Sequence, residues 1–238
     1  MANLPEYQYY ACGDHAVTIT LGNEISVAIN EQVMRLYRYL VAQEAEAVLD
    51  IIPAYNSLTV VYDVMLLIRE YPGRSPYGMM QNWLQQWVAA MEHIQERPAR
   101  KMEIPVCYDR NLAPDIETVA ALHQLSVEEV IRLHTETVYR VFMIGFLPGF
   151  AYMGSVHEKI ITPRKSTPRI LVPAGSVGIA GEQTGIYPLD SPGGWQLIGQ
   201  TPLQLFDVQQ VNPCLLQPGD EVRFYPVSLA EFQKLKRP

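Results

Sequence analysis

The sequence has few cysteines and few charged residues. It contains three cysteines in 238 residues, and Asp, Glu, Lys and Arg together make up only 18%. Cys12, Cys107 and Cys214 lie about a hundred residues apart and form no CxxC pair. This pattern is typical of reduced thiols and not of a disulfide framework. We therefore expect a reducing compartment and a cytoplasmic protein.

Long apolar runs and a positive charge balance are also absent. The best apolar run, Leu58 to Ile68, is interrupted by Asp63 and is shorter than the ~20 residues that cross a bilayer. The start of the chain has no basic segment followed by an apolar one, as a signal peptide would. A net charge of −7 repels nucleic acid and anionic lipid. We expect no nucleic-acid and no membrane partner.

Several motifs of stand-alone enzymes are missing. There is no G-x-x-x-x-G-K-[ST] phosphate loop, no G-x-G-x-x-G, no H-E-x-x-H and no closely spaced His/Cys set for zinc. Ser176 is not in a G-x-S-x-G elbow, because Gly175 directly precedes it. The sequence predicts no metal site, and any nucleotide chemistry must be built differently or on another chain.

The first hundred residues alternate strand and helix periods, which predicts an α+β domain. The expected strands are Tyr7 to Cys12, Ala16 to Leu21, Ala47 to Pro53 and Ser57 to Tyr62, and the expected helices are Ser26 to Glu44 and one that starts at Ser75-Pro76. The second helix has a Met/Trp stripe, from Met80 to Ile94, which we interpret as core packing. Proline in Arg97-Pro98-Ala99-Arg100 ends it, so we place the domains at 1–98 and 99–238.

The second domain begins with a strand and two short helices and then becomes rich in glycine. We expect a strand at Lys101 to Tyr108 and helices at Asp115 to Leu125 and Ser126 to Thr135, the latter opened by a Ser126/Glu129 capping box. The stretch from Gly145 to Gly199 contains ten of the fifteen glycines. Its turns separate short apolar runs, which predicts a β-barrel or sandwich.

Two segments of this stretch carry candidate binding residues. Two Thr-Pro-Arg units, five residues apart, place Arg164, Lys165 and Arg169 within six residues of a proline-stiffened segment, and stiffly held guanidinium groups suit a carboxylate or phosphate. The alternative is that these three basic residues form a solvent-exposed cluster of charges on a loop and bind no ligand. The run Gly181 to Trp195 holds polar side chains between glycines, which either shape a pocket or form tight barrel turns around Trp195. His134, at a helix end, is a helix-dipole partner or a proton-transfer residue.

A family resemblance follows from the motifs themselves. The sequence from Val141 to Gly154, then Thr162-Pro163-Arg164, Val172 to Gly181 and Gln183 to Gly199 resembles the signature of the KipI family, also known as allophanate hydrolase subunit 1 and as the 5-oxoprolinase B subunit (PxpB). The resemblance extends weakly to the N-terminus through Gly13-Asp14. It implies a ferredoxin-like N-terminal α+β domain followed by a cyclophilin-like β-barrel, without implying prolyl isomerase activity.

The resemblance also implies a function. Family members pair with a C subunit of related barrel fold (KipA-like) and with an A subunit, and use ATP to hydrolyse 5-oxoproline to glutamate. We therefore expect the B subunit of such a hydrolase, inactive alone, in a complex that binds ATP without a phosphate loop in this chain. The alternatives are an inhibitor that binds a sporulation sensor histidine kinase, as KipI does, and a subunit that acts on allophanate or related urea amides.

The enzyme interpretation assigns roles to named residues. Arg164 and Arg169 are expected to bind a carboxylate or phosphate of the substrate. The residues expected to shape the pocket are Gln183, Thr184, Tyr187 and Ser191. Asp190 is the first candidate for acid–base catalysis and His134 is the second.

Overall fold

The computed structural model describes residues 6–91 and 98–236. The chain divides into two compact units, Met1–Pro98 and Ala99–Pro238. Ile94 of the predicted stripe and Arg97 of the predicted linker lie outside the described residues.

The first unit is a four-stranded antiparallel sheet with helices, in the strand order β1-β2-β4-β3. Its elements are β1 Gln8–Ala11, β2 Ala16–Thr20, α1 Val27–Val41, β3 Val48–Pro53, β4 Ser57–Tyr62, α2 Val64–Glu70 and α3 Pro76–Met91. Met80, Leu84 and Met91 of the predicted stripe are buried in the core of this unit. The packing interpretation of that stripe is confirmed, and so is the α+β class.

The helix α2 was not predicted. Asp63, which interrupts the apolar run of the sequence, is its N-cap, and the Asp63 carboxylate accepts a hydrogen bond of 2.9 Å from the Leu66 N–H. A side-chain acceptor at this position satisfies a backbone donor that has no partner within the helix. The apolar run therefore holds the end of a strand and the start of a helix.

Within residues 98–236, the second unit has nine strands and three α-helices. They are β5 Lys101–Val106, α4 Ile116–Leu122, α5 Val127–Glu136, β6 Val138–Ile144, β7 Ala151–Gly154, β8 Arg169–Val172, β9 Ser176–Ala180, β10 Gln183–Ile186, β11 Ser191–Gly193, β12 Gln196–Gln200, β13 Glu221–Pro226 and α6 Leu229–Leu235. The predicted Ser126/Glu129 capping box is present in α5. A second capping box, Ser228/Glu231, opens the unpredicted helix α6.

Seven strands form one sheet that curls into a barrel. Their order is β12-β9-β10-β7-β6-β13-β5. The two end strands meet where Cys107, directly after β5, bridges Gln200 at the end of β12, with backbone hydrogen bonds of 2.8 and 3.0 Å. This bridge closes the ring, so the predicted β-barrel is confirmed.

The strands β8 and β11 form a separate two-stranded antiparallel sheet, which we call the ribbon. Ser191 lies opposite Val172 and Gly193 opposite Arg169, and the register shifts between these two pairs. Pro192 lies at that shift. The ribbon therefore stands outside the hydrogen-bonded ladder of the barrel sheet, and its residues are placed beside the pocket described below.

Candidate functional site

A pocket of about 240 Å³ lies in the second unit, within the glycine-rich stretch. It is enclosed by aromatic rings, prolines, glycine backbone and one arginine. The lining residues are Phe146, Phe150, Tyr152, Arg164, Pro168, Tyr187, Pro192, Gly193, Gly194 and Trp195. Its volume is slightly below the ~300–1,000 Å³ of pockets for drug-sized molecules. A small molecule with an apolar portion is the ligand that such a cavity fits.

The pocket wall is an aromatic cluster centred on Phe150. The centroid of the Phe150 ring lies 5.2 Å from that of Tyr187 and 5.4 Å from that of Trp195, and both pairs are in edge-to-face arrangement. The centroid of the Tyr152 ring lies 4.7 Å from that of Phe150. Edge-to-face pairs stabilise one another by about 0.5–1.5 kcal/mol beyond the burial of their surface. The wall is therefore rigid, and most of its ring surface is buried, with Phe150 and Tyr187 1% exposed and Trp195 5% exposed.

A strained turn places Phe146 at the mouth of the pocket. The Leu147 N–H donates to the Gly145 carbonyl at 2.8 Å, and Phe146 between them has φ +67°. A three-residue turn with positive φ at a bulky central residue is the rare, strained form of the γ-turn. The Phe146 side chain is nevertheless 61% exposed. Strain of this kind collects at functional sites, where the surrounding structure maintains it.

Arg164 is the charged residue of the pocket lining. Its guanidinium carbon lies 6.0 Å from the centroid of the Trp195 ring, within range of a cation–π interaction. Within residues 6–91 and 98–236, no carboxylate lies at ion-pair distance from this guanidinium. Arg164 is therefore held beside the aromatic wall with its hydrogen-bond donors available for an anion.

The segment that carries Arg164, residues 162–169, is fixed to the barrel along its length. The Gly181 N–H donates to the Thr162 carbonyl at 2.7 Å, and the Lys165 N–H to the Gly194 carbonyl at 2.7 Å. Between them, the Gln196 amide donates to the Pro163 carbonyl at 3.0 Å. This anchoring reduces the entropy that Arg164 would lose when it binds a ligand.

Asp115 anchors the C-terminal half of the same segment, through Lys165 and Arg169. The Asp115 carboxylate is buried and accepts hydrogen bonds from Arg169 at 2.6 Å, from Lys165 at 3.0 Å and from the Leu197 N–H at 2.7 Å. Burial acts to raise the pKa of Asp115, but the bonds from Arg169, Leu197 and Lys165 together hold it below its ordinary value. The carboxylate is therefore ionised at neutral pH and balances charge of Lys165 and Arg169.

Tyr187 forms the floor of the pocket, against Gly193. A Cβ atom on Gly193 would lie 2.4 Å from the Tyr187 hydroxyl oxygen, so the backbone approaches the phenol more closely than any side chain allows. Burial raises the pKa of the Tyr187 phenol, and a hydrogen bond with the Trp195 backbone acts in the opposite direction. The phenol is neutral at physiological pH and can donate a hydrogen bond.

The structure brings together Arg164 and Tyr187 of the predicted site residues. Arg169 does not line the pocket. Its guanidinium is bound to Asp115 and to the Trp195 carbonyl. We therefore correct its role from substrate binding to anchoring of the 162–169 segment, because its hydrogen bonds are made within the protein.

His134 and Thr184 lie in the barrel core and not in the pocket. Both side chains are fully buried. The imidazole Nδ1 lies 2.8 Å from the Tyr108 hydroxyl and Nε2 lies 3.1 Å from the Thr184 hydroxyl. Burial lowers the pKa of His134 to about 3. A neutral imidazole without solvent contact neither exchanges protons near pH 7 nor meets a ligand, so the predicted roles of both residues are corrected to structural ones.

The remaining predicted residues lie around the pocket without lining it. Asp190 is exposed, and its carboxylate accepts a hydrogen bond of 2.7 Å from the Ala174 N–H. Ser191 is buried, and its hydroxyl has no hydrogen-bond partner among the described residues. Gln183 starts β10, opposite Gly154 and Ala180. None of the three appears in the pocket wall.

Sequence reasoning missed the aromatic wall and Asp115. Phe150 and Tyr152 are two residues apart, so an extended backbone directs both rings to one side. That spacing is a signal that the sequence contains. Asp115 gives no such signal, because it is 50 residues from Lys165 along the chain and the barrel fold alone brings the two together.

Neither a metal-binding cluster nor a membrane-spanning helix is present among the described residues. No group of three or more His, Cys, Asp or Glu side chains is arranged to hold a metal ion. Among the described helices, none combines the length and apolar character needed to cross a membrane.

Comparison with known proteins identifies the family. The sequence model of the family "Carboxyltransferase domain, subdomain C and D" matches residues 7–216. The chain is 44% identical over 232 residues to the 5-oxoprolinase B subunit of Bacillus subtilis, with 97% of each chain covered. It is 43% identical to the 5-oxoprolinase B subunit of Escherichia coli O157:H7, with 91% of this chain and 94% of the relative covered.

Solved structures agree with this relationship. The crystal structure of TTHA0988 superposes with a TM-score of 0.76 at 36% identity, covering 90% of this chain and 40% of that chain. PH0987 from Pyrococcus horikoshii, an uncharacterized protein, is 43% identical, with a TM-score of 0.55 and 94% and 100% of the two chains covered. The family match, the identity and the coverage together show that this chain belongs to the carboxyltransferase subdomain C and D family and, within it, to the B-type subunits of 5-oxoprolinase.

Proposed function

We propose that this chain is the B subunit of an ATP-dependent 5-oxoprolinase, which hydrolyses 5-oxo-L-proline to L-glutamate together with its A and C subunits and is inactive alone. Curated relatives that are B subunits of 5-oxoprolinase share 41 to 44% identity with it over most of the chain. Full-length similarity at this level supports a shared function. The urea amidolyase of Lachancea kluyveri is more distant, at 25% identity.

The observation that carries the proposal is the pairing of an aromatic wall with one available guanidinium. The substrate, 5-oxoproline, is a flat five-membered lactam with a single carboxylate. Its ring matches the apolar side of the pocket, which Phe150, Tyr187 and Trp195 line, and its carboxylate matches Arg164. A planar guanidinium binds a carboxylate through two parallel hydrogen bonds. The pocket volume of about 240 Å³ suits a small ring of this size.

The pocket residues of this chain bind and orient but carry no strong acid or base. Its lining contains no carboxylate, imidazole or thiol. Opening an unstrained lactam is difficult, and ATP bound in the complex would supply activation of the amide oxygen by phosphorylation. In this scheme the aromatic wall excludes water from one side of the ring, Arg164 fixes the carboxylate, and the Tyr187 hydroxyl is a hydrogen-bond donor to the lactam.

Reconstitution tests the function. This chain, mixed with the A and C subunits of the same organism, is expected to release glutamate and ADP from 5-oxoproline and ATP. Each of the three proteins assayed alone is expected to release neither. A complete mixture of folded subunits that releases no glutamate would refute the proposal.

The Arg164→Gln variant tests the pocket. Loss of a charge-assisted carboxylate contact is expected to raise the KM for 5-oxoproline about 10- to 100-fold, since such a bond contributes ~1.5–3 kcal/mol. The KM for ATP is expected to stay unchanged. Arg110→Gln is the matched control, because Arg110 is exposed and paired with Glu117. Equal KM values for both variants would show that Arg164 does not contact the substrate.

The urea-amide alternative rests on the more distant relatives. The urea amidolyase match of 25% identity spans 97% of this chain and 14% of that protein. Competition decides between the substrates: under the proposal, excess allophanate does not inhibit glutamate release from 5-oxoproline. Strong inhibition with turnover of allophanate would favour the alternative.

The histidine-kinase inhibitor alternative stays a prediction. It is tested by kinase labelling with and without this chain.

A further inference from the structure

Helix α4 begins and ends beside the segment that carries Arg164. Its N-cap is Asp115 and its C-cap is His123. At the N-terminal end, the Asp115 carboxylate accepts a hydrogen bond of 3.0 Å from the Lys165 ammonium. At the C-terminal end, His123 Nε2 lies 3.0 Å from the Thr162 hydroxyl. One helix therefore contacts the segment on both sides of Arg164.

The contact between His123 and Thr162 is a hydrogen bond with a defined direction. The Thr162 hydroxyl donates to the Ile160 carbonyl at 3.0 Å, so its oxygen accepts from His123 Nε2–H. Thr162 is buried, and its carbonyl accepts a hydrogen bond of 2.7 Å from the Gly181 N–H. The start of the segment is therefore fixed twice, by the barrel through its backbone and by His123 through its side chain.

Asp115 departs from the usual behaviour of an aspartate at a helix start. An N-cap carboxylate commonly accepts from backbone N–H groups of the first helical turn, but the Asp115 side chain makes no such bond. Its oxygens are bound to Lys165, Arg169 and the Leu197 N–H. A local rule that is broken in favour of distant contacts is typical of a functional position. The carboxylate therefore serves the segment beside the pocket and not its own helix.

The C-terminal end of α4 has a fixed conformation. The Leu125 N–H donates to the Ala120 carbonyl at 2.9 Å and the Gln124 N–H to the Ala121 carbonyl at 3.2 Å, which is the Schellman arrangement. Gln124 occupies the left-handed position of this motif, with φ +56°, where glycine is usual. His123 directly precedes it, so its imidazole is presented from a rigid helix end.

We propose that α4 is a positioning helix, in which His123 and Asp115 hold the Arg164 guanidinium in place for the substrate carboxylate. This inference rests on the proposed function. The two cap residues are about 12 Å apart at the rise of an α-helix, and the Asp115 N–H donates to the Leu197 carbonyl of β12 at 3.0 Å. The two ends belong to one body and cannot shift independently. Neither cap residue lines the pocket, so both act through Arg164.

The His123→Ala variant tests this role in the mixture with the A and C subunits. Loss of one hydrogen bond is expected to raise the KM for 5-oxoproline about three- to tenfold. The kcat and the KM for ATP are expected to change less than about twofold, because the bond affects only how the carboxylate is held. A KM for 5-oxoproline equal to that of wild type would overturn the positioning role.

His123→Gln is the conservative variant. Its side-chain amide can donate to the Thr162 hydroxyl in place of the imidazole Nε2–H, so the KM for 5-oxoproline is expected to return to within about twofold of wild type. The same KM in His123→Gln and His123→Ala would show that the hydrogen bond is not the cause of the effect, and would overturn the inference.

The Arg164→Gln background separates positioning from a general structural effect. If His123 acts through Arg164, the two effects are not additive. His123→Ala is then expected to raise the KM by less than about twofold in a chain that already carries Arg164→Gln. An equal factor in both backgrounds would mean that His123 acts on another part of the site, contrary to the inference.

His157→Ala is the matched control. His157 is half-buried, as His123 is, and its Nδ1 accepts a hydrogen bond of 3.2 Å from the Lys159 N–H at the start of a short 3₁₀ turn. Its side chain thus also caps a turn, but it binds outside the segment. The KM for 5-oxoproline is expected to stay within about twofold of wild type, and an increase equal to that of His123→Ala would overturn the assignment to α4.

Hydrogen exchange in the free chain separates this inference from the proposed function. The Lys165 N–H, which donates to the Gly194 carbonyl, is expected to exchange at least about threefold faster in His123→Ala than in wild type or His157→Ala, because the segment opens more often. This result in a mixture that releases no glutamate would support the hold of α4 on the segment while the substrate assignment fails. Unchanged exchange would overturn the inference even if glutamate is released.

Discussion

The imidazole of His134 belongs to a chain of hydrogen bonds in the barrel core, in which each group accepts from one neighbour and donates to the next. The Thr184 hydroxyl donates to the Gly178 carbonyl at 3.1 Å, so its oxygen accepts from His134 Nε2–H. Nδ1 is then the acceptor of the Tyr108 O–H. Every polar atom of the imidazole is satisfied in its neutral form. Protonation of Nδ1 would break the bond from Tyr108 and bury a charge.

Acid is therefore expected to destabilise the second unit through His134. The pKa of His134 is lowered from 6.5 to about 3 on folding, so the unfolded chain binds one more proton between these values, and stability falls as the pH drops below about 6.5. Between pH 8 and pH 5 the loss is about 2 kcal/mol of unfolding free energy. Urea titrations at the two pH values measure it.

His134→Gln is the comparison for this pH effect. The variant lacks the titrating group, so its unfolding free energy is expected to change less between pH 8 and pH 5 than that of wild type, whatever its absolute stability. Asp115 does not contribute here, because its lowered pKa matters only below about 4. An NMR titration of His134 that shows protonation near pH 6 would contradict the buried neutral state.

Strand β11 depends on the absence of a side chain at one position. Gly193→Ala places a Cβ 2.4 Å from the Tyr187 hydroxyl and 2.8 Å from two ring carbons. Tyr187 is packed against Phe150 and Trp195 and cannot move aside. Overpacking of this kind is expected to destabilise the second unit by about 1–3 kcal/mol, measured by urea unfolding.

The adjacent glycine supplies the control for this substitution. A Cβ on Gly194 would make only ordinary contacts of 3.7 Å with Lys165 and Pro168. Gly194→Ala is therefore expected to change the unfolding free energy by no more than about 0.5 kcal/mol, as surface changes usually do. Equal losses in both variants would point to backbone effects and not to the Tyr187 contact.

Among the helices and strands, those with a long periodic pattern of apolar residues were the ones that the sequence predicted best. Helix α1 and the β3–β4 hairpin were predicted because apolar spacing over many residues depends only on local geometry. Helices α2 and α6 have seven residues each, too few to establish a period. Both have a capping side chain at Asp63 or Ser228, and that local signal was the one available.

At the scale of the whole molecule, the described residues form separate hydrophobic cores. One is formed by residues of the first unit alone, from Val17 to Met91, and the other two by residues of the second unit. Units with their own cores unfold as separate cooperative steps. Two thermal transitions are expected by calorimetry, and a shift from pH 8 to pH 5 is expected to lower the one that His134→Gln also alters. A single transition that follows His134 would contradict independent units.

The site was less predictable than the fold because it depends on contacts across the barrel. Arg164 and Arg169 look equivalent in the sequence, each within a Thr-Pro-Arg unit. Asp115, from a distant helix start, pairs with Arg169 and leaves Arg164 available. Likewise, Thr184 and Tyr187 are three residues apart, but only Tyr187 reaches the pocket. Which neighbour a side chain meets is settled by strand register, and the sequence does not state the register.

The bridge between Cys107 and Gln200 joins the two end strands of the barrel, and it forms only because the residue beside it has no side chain. At Gly199, the residue beside it, an added Cβ would lie 2.5 Å from a Val106 methyl and 3.1 Å from the Cys107 carbonyl. Any larger residue at position 199 would keep the two end strands apart and leave the barrel open. A hydrogen atom at one position thus lets the two end strands come close enough to join.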